Sequence, residues 1–231
     1  MMKIKSVLIL LSILSSSLLF AQLTEHKSNI VNNTEIQYFL YTPIQKQELY
    51  PLVVFLHGGA QSDTDLNIAK AHGIPKRIAE GKDFPFYVFA PLNPNKNGLW
   101  DDRAIHKKVT KLVDSLPIDK KRIYLAGLSR GGDGIWRMAV NNPNTYAAMI
   151  SVCAADIPMV YIKWAKNLPV WFFHGEKDAV VSVEQTKEAY KTLKKLNPKT
   201  KLTIYPDAAH DSWTETYNNE AVYSWLLEQH L

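Results

Sequence analysis

The chain has 231 residues, of which 46% are hydrophobic and 21% charged, and its formal charge is +5. That is enough length for one sizeable core, and the charge is too mild and too evenly spread to argue for a nucleic-acid partner. The sole cysteine, Cys153, excludes an internal disulfide and reads as a small buried hydrophobe in the apolar run Met149 to Ala154.

In chain order, Lys3 and Lys5 precede an apolar run from Val7 to Phe20, and the polar Gln22, Thr24, Glu25 and His26 follow Ala21. A run of about 14 residues is shorter than the roughly 20 that span a bilayer, so the pattern is that of a secretory signal peptide, residues 1–21, with cleavage after Ala21. Leu19 departs from the small residue expected at the minus-three position. Cleavage would remove Lys3 and Lys5 and leave +3. The expectation is a secreted or periplasmic protein, one domain over 22–231, without stable membrane insertion. Asn32, Asn33 and Thr34 form a glycosylation sequon that matters only in a eukaryotic secretory pathway.

Glu35 to Tyr41 alternates and is rich in β-formers, which predicts a strand. Leu52 to Leu56 is continuously apolar, as in a strand covered on both faces, and it ends in His57-Gly58-Gly59-Ala60. A helix is predicted within Leu66 to Glu80, a strand at Phe86 to Ala90, a polar loop from Pro91 to Gly98, and a helix over Asp101 to Leu116. Strands follow at Ile123 to Ala126, Ala147 to Ala154, Pro169 to Phe173 and Lys201 to Tyr205. Between and after them come helices at Ser129 to Val140, Val183 to Leu196 and Thr214 to Gln229. Strand alternating with helix predicts an α/β sandwich around a mostly parallel sheet. The lysine-rich stretch Lys187 to Lys201 has helical spacing and reads as a solvated face.

Ligands bind beyond the carboxyl ends of strands in such sheets, and the chemically interesting residues all fall there. Gly127-Leu128-Ser129-Arg130-Gly131 fits the G-x-S-x-G nucleophile elbow between a buried-type strand and a helix. The elbow strains the serine backbone, so its flanking positions must lack a Cβ. A serine hydroxyl needs a base to take its proton and a third group to aim that base. His210 lies between the last strand and the last helix, Asp178 follows the strand ending at Phe173, and the chain order is Ser129, Asp178, His210. Asp156, one strand earlier, is the rival acid, with Asp178 preferred on that order. Asp101, Asp102 and Asp207 read as helix-start or turn residues. Asp63 to Asn67 faintly resembles a calcium loop but lacks its sixth-position glycine and twelfth-position glutamate, so no metal and no cofactor are expected.

These motifs carry a resemblance. The His57 to Ala60 turn, Ile118-Asp119 with Arg122-Ile123-Tyr124, the elbow, His174 to Asp178, and His210-Asp211-Ser212-Trp213 resemble small secreted α/β-hydrolases of the carboxylesterase and dienelactone-hydrolase-like group, near the predicted peptidases. The resemblance covers about Glu35 to the C-terminus. It implies the α/β-hydrolase fold, a mostly parallel sheet with helices on both faces. It also implies a Ser129, His210 and Asp178 triad, with an oxyanion hole from the N–H groups of Arg130 and Gly59. Arg130 and Asp133 depart from the group's usual residues, which bears on the acyl pocket. His57 and His174 read as structural residues at strand ends. Trp136, Trp164 and Trp171 are expected in the core, while Trp100 and Trp213 are expected either there or in the wall of the site.

The segment from Ala154 to Pro169 is too short for a cap domain, so an open site is expected, rimmed by Ala60 to Asp65 and Pro91 to Gly98. The resulting expectation is a serine esterase for short or aromatic acyl groups on small-molecule or polymer-borne alcohols. The alternatives are a serine peptidase and a non-catalytic binding protein on a hydrolase scaffold. Nothing in the sequence indicates an oligomeric state.

Overall fold

The computed structural model describes residues 22–31, 34–59, 64–95 and 98–231. The leader, the two asparagines of the sequon and most of the Ala60 to Asp65 loop lie outside them. Strands β1 (Gln22–Val31), β2 (Thr34–Thr42), β3 (Tyr50–Leu56), β4 (Tyr87–Pro91), β5 (Ile118–Leu128), β6 (Ala148–Val152), β7 (Val170–Gly175) and β8 (Lys201–Tyr205) form one sheet in the order β1-β2-β4-β3-β5-β6-β7-β8. The β1–β2 and β2–β4 pairs are antiparallel and the remaining pairs parallel. Helices α1 (Gly73–Ala79), α2 (Asp102–Ser115), α3 (Arg130–Asn141), α4 (Val183–Leu196), α5 (Trp213–Asn218) and α6 (Glu220–Leu227) cover both faces. This is the α/β-hydrolase architecture, and among the described residues no cap domain interrupts it.

Period-two alternation divides the buried strands between two cores. Leu52, Val54 and Leu56 of β3 face the side of α2, α3 and α4, while Val53 and Phe55 face that of α1, α5 and α6. All seven β3 residues are buried, and each fully buried Leu, Val or Phe contributes about 1.5–3 kcal/mol. Trp136 is fully buried, stacks on Phe172 with ring centroids 5.6 Å apart, and donates from Nε1 to Ser151 Oγ at 3.0 Å.

Four features differ from the sequence expectation. β1 is an unforeseen edge strand whose polar side chains read as the start of the mature chain. The helix expected within Leu66 to Glu80 is α1, and an unforeseen short 3-10 turn, Leu66–Lys70, precedes it. The expected closing helix is split into α5 and α6 at Asn219, whose side chain accepts from Ala221 N at 3.0 Å and so starts a new helix. Trp164, expected in the core, is 56% exposed, because the short 3-10 helix Met159–Ala165 lays it on the surface against Tyr161.

Candidate active site

The β5-to-α3 turn holds Ser129 at φ 51° and ψ −121°, a left-handed conformation that an L-residue adopts only when its surroundings fix it. Two hydrogen bonds do so: Ser129 N–H donates to Val152 O at 2.9 Å, and Ser129 O accepts from Ala155 N–H at 2.9 Å. The flanking glycines are sterically required. A Cβ at Gly127 would lie 2.6 Å from Gly131 O, and one at Gly131 would lie 2.0 Å from Leu56 O.

His210, from the β8–α5 loop, has Nε2 3.0 Å from Ser129 Oγ and Nδ1 2.7 Å from Asp178 Oδ2. A neutral imidazole protonated at Nδ1 satisfies both contacts: it donates to Asp178 and accepts the serine proton. Asp178 Oδ1 accepts from Val180 N–H at 2.8 Å and Val181 N–H at 2.9 Å. Burial alone would push the Asp178 carboxyl up, but the His210 hydrogen bond and these two backbone bonds outweigh it and hold the carboxyl below the usual carboxylate range. Asp156 is exposed and is hydrogen-bonded to Gln185 Nε2 at 3.2 Å, not to a histidine. The geometry therefore joins Asp178, rather than its rival, to Ser129 and His210. Asp101 caps α2, accepting from Ala104 N–H at 2.9 Å, and Asp207 pairs with Lys177 at the surface.

Gly58 and Gly59 follow β3 beside the elbow. His57 fixes their turn: Nδ1–H donates to Gly58 O at 2.8 Å and Nε2 accepts from Asn93 N–H at 3.1 Å. Among the described residues, a Cβ added at Gly59 would meet only the Arg130 guanidinium, at 3.9 Å, so this backbone can be approached closely. Gly59 and Arg130 both line the cavity that contains Ser129 and His210, which has a volume of about 520 Å³. Its walls are His72, Leu128, Ala155, Val180, Val181 and Trp213, and Trp213 meets the His210 ring edge-on at 5.2 Å.

Trp100 is a correction. It is 3% exposed and packs edge-on against His57 at 4.9 Å, over the space that Gly134 leaves on α3, so it backs the glycine turn and does not line the cavity. The described part of Pro91 to Gly98 does not border the cavity either; the β7–α4 loop, through Val180 and Val181, takes that place. His72 was also missed. It stands just before α1 in a polar segment, and only the tertiary fold brings it to Trp213, at 5.3 Å. The Val180-Val181 pair, which follows the acid's neighbour Ala179 in the chain, was a local signal of an apolar wall. A larger surface groove, about 790 Å³ beside Trp164, holds none of this chemistry.

Burial lowers His57 from its ordinary 6.5 to about 4, its bond to Gly58 opposing only in part. Between these values the unfolded chain binds a proton that the native state does not, so stability falls as pH drops through that window. A single such shift is worth about 3 kcal/mol over the whole interval. His174, lowered by burial, acts in the same direction. Asp178 acts only below that window, since the stabilisation from a carboxyl held under its ordinary value is kept above that value and lost as pH falls through the folded one. Urea unfolding at pH 7 and pH 4 should show this drop, and His57→Gln should flatten it; equal stability at both pH values would contradict a neutral buried His57.

A family profile described as Phospholipase/Carboxylesterase matches residues 95–223, more than half of the chain. The chain belongs to this family. A bifunctional acetylxylan esterase/xylanase of Neocallimastix patriciarum is 26% identical over 152 residues, covering 63% of this chain and 22% of that protein. A carboxylesterase of Mycobacterium tuberculosis is 33% identical over 105 residues, covering 43% and 32%. The chain thus spans between 22% and 32% of the length of these two curated relatives. The solved structure of a thermostable esterase superimposes with a TM-score of 0.78 at 30% identity, covering 90% of this chain and 63% of that one. The family match ends at residue 223 and so includes Ser129, Asp178 and His210.

Proposed function

We propose that the chain is a serine esterase in which Ser129 is the nucleophile, His210 the general base and acid, and Asp178 the group that orients the imidazole. The observation that carries this is the continuous relay from Ser129 Oγ to His210 at 3.0 Å and on to Asp178 at 2.7 Å, open to the cavity. Ser129 attacks the ester carbonyl as its proton passes to His210 Nε2, and the imidazolium is stabilised by the buried Asp178 carboxylate. The N–H groups of Gly59 and Arg130 receive the developing oxyanion, Arg130 as the first residue of α3, where backbone N–H groups have no intrahelical acceptor. Nε2–H then protonates the departing alcohol. A water molecule, deprotonated by the same nitrogen, releases the acid and restores Ser129.

Among the described residues no cap covers the site, and Val180, Val181 and Trp213 wall it. This supports short or aromatic acyl groups, on small or polymer-borne alcohols. The stretch shared with a protein named acetylxylan esterase/xylanase supports acyl groups on a polysaccharide, and the sequence of residues 1–21 supports export. A closed tunnel would gain about fourfold in kcat/KM per added methylene, at about 0.8 kcal/mol each, whereas an open cleft stops gaining after a few carbons. The test is kcat/KM across acetyl to palmitoyl esters, a feruloyl ester, acetylated xylan and a peptide amide. A plateau by butyryl to hexanoyl, with Trp213→Ala harming the feruloyl ester more than acetyl, is expected. A rise continuing to palmitoyl, or faster cleavage of the amide than of any ester, would overturn the assignment.

A further inference from the structure

His174 lies on β7 facing α4, in the apolar layer that also contains Phe172. A fully buried imidazole there is costly unless its nitrogens are satisfied, and both are. Nδ1 is 2.8 Å from Thr186 Oγ1 on α4, and Nε2 is 3.1 Å from both Val181 O and Asp178 Oδ2. Carbonyl and carboxylate oxygens only accept, so Nε2 must carry the proton, and Nδ1 then accepts from the Thr186 hydroxyl. Burial lowers the pKa of His174 and so favours the neutral ring, in the tautomer opposite to that of His210.

Asp178 Oδ2 therefore receives two histidine donors, His210 at 2.7 Å and His174 at 3.1 Å, while Oδ1 receives two backbone N–H groups. We propose that His174 is a positioning residue for the reaction: its Nε2–H holds the Asp178 carboxylate so that Oδ2 faces His210 Nδ1, and its dipole tempers the negative potential felt by His210. The inference rests on the proposed roles of Ser129, His210 and Asp178. It replaces the reading of His174 as merely structural. A neutral donor suits this place, because a cation there would compete with the imidazolium for the same carboxylate.

The test pairs two variants. Glutamine can place its amide nitrogen near the position of Nε2, whereas phenylalanine fills the space with no donor. His174→Phe should lower kcat about 10- to 100-fold, the loss expected when one hydrogen bond to a buried charge is removed, with KM changed less than about twofold. With that dipole gone the potential at His210 becomes more negative, so the acid limb of the pH–kcat/KM profile should move to higher pH, by about half a unit or more. The other titratable or charged groups near the relay are Cys153, whose thiol burial pushes up to about 12, Asp211, and His72 and Arg130 on the cavity wall, and none of them is altered. His174→Gln should keep the limb in place and restore most of kcat.

Wild-type kcat and limb in His174→Phe, or equal losses in both variants with an unmoved limb, would reduce His174 to packing. Should the phenylalanine variant not fold, two-bond ¹H–¹⁵N correlation spectra of the wild-type histidines decide. His174 should be neutral and protonated at Nε2 at pH 7; the Nδ1–H tautomer or a charged ring would overturn the proposal. The spectrum does not depend on turnover, so it separates a failure of this inference from a failure of the esterase assignment.

Discussion

Ser129→Ala should lower kcat for a short-chain ester by about 10⁴- to 10⁶-fold, with KM nearly unchanged, because the residue binds little of the substrate and forms the bond that breaks the ester. His210→Ala should fall by a similar factor, since the hydroxyl 3.0 Å from Nε2 has no other base in reach among the described contacts. The double variant should be little worse than either single one, because two members of one relay fail as a unit. Steady-state kinetics on p-nitrophenyl acetate checks all three. Two independent losses that multiplied would show that the residues do not act together.

Asp178→Asn should cost about 10⁴-fold in kcat, far more than the removal of a charge at a distance would predict. The reason is local. Val180 and Val181 N–H demand an acceptor at Oδ1, so the amide oxygen must stay there and the NH₂ must face His210. Two donors would then oppose each other at Nδ1. The imidazole escapes by moving its proton to Nε2, where it can no longer accept from Ser129. The same NH₂ also meets His174 Nε2–H, which adds to the misplacement. Asp156→Asn, at an exposed side chain bonded to Gln185, should change kcat by less than about twofold. The reverse ranking would place the orienting acid one strand earlier.

Local chemistry explains why some of this was legible in the sequence. The elbow announces itself because strain at Ser129 demands glycine at 127 and 131 within five residues, and the buried stretches Leu52 to Leu56 of β3 and Ile123 to Ala126 of β5 read as unbroken apolar runs. Val183–Leu196 and Lys201–Tyr205 have the bounds expected from period and composition. Asp178 was preferred through chain order, and its partnership with His210 became visible only when two loops 32 residues apart met. What was not legible depends on which elements face each other. Trp100 and Trp213 look alike in sequence, yet Gly134 opens a core slot for Trp100, while Trp213 at the start of α5 is left beside the cavity. β1 was missed because an edge strand can be polar and still pair, and Trp164 because a short 3-10 helix has no strong face to predict.

The central claim is that Ser129 forms a covalent acyl-enzyme with the help of His210 and Asp178. Its most direct test is a fluorophosphonate that phosphorylates activated serines, followed by peptide mass mapping and an ester assay on the same sample. One adduct on Ser129, complete loss of hydrolysis, no labelling of Ser129→Ala and greatly slowed labelling of His210→Ala and Asp178→Asn are the expected results. An adduct on another residue, or ester hydrolysis that persists after Ser129 is fully labelled, would contradict the account.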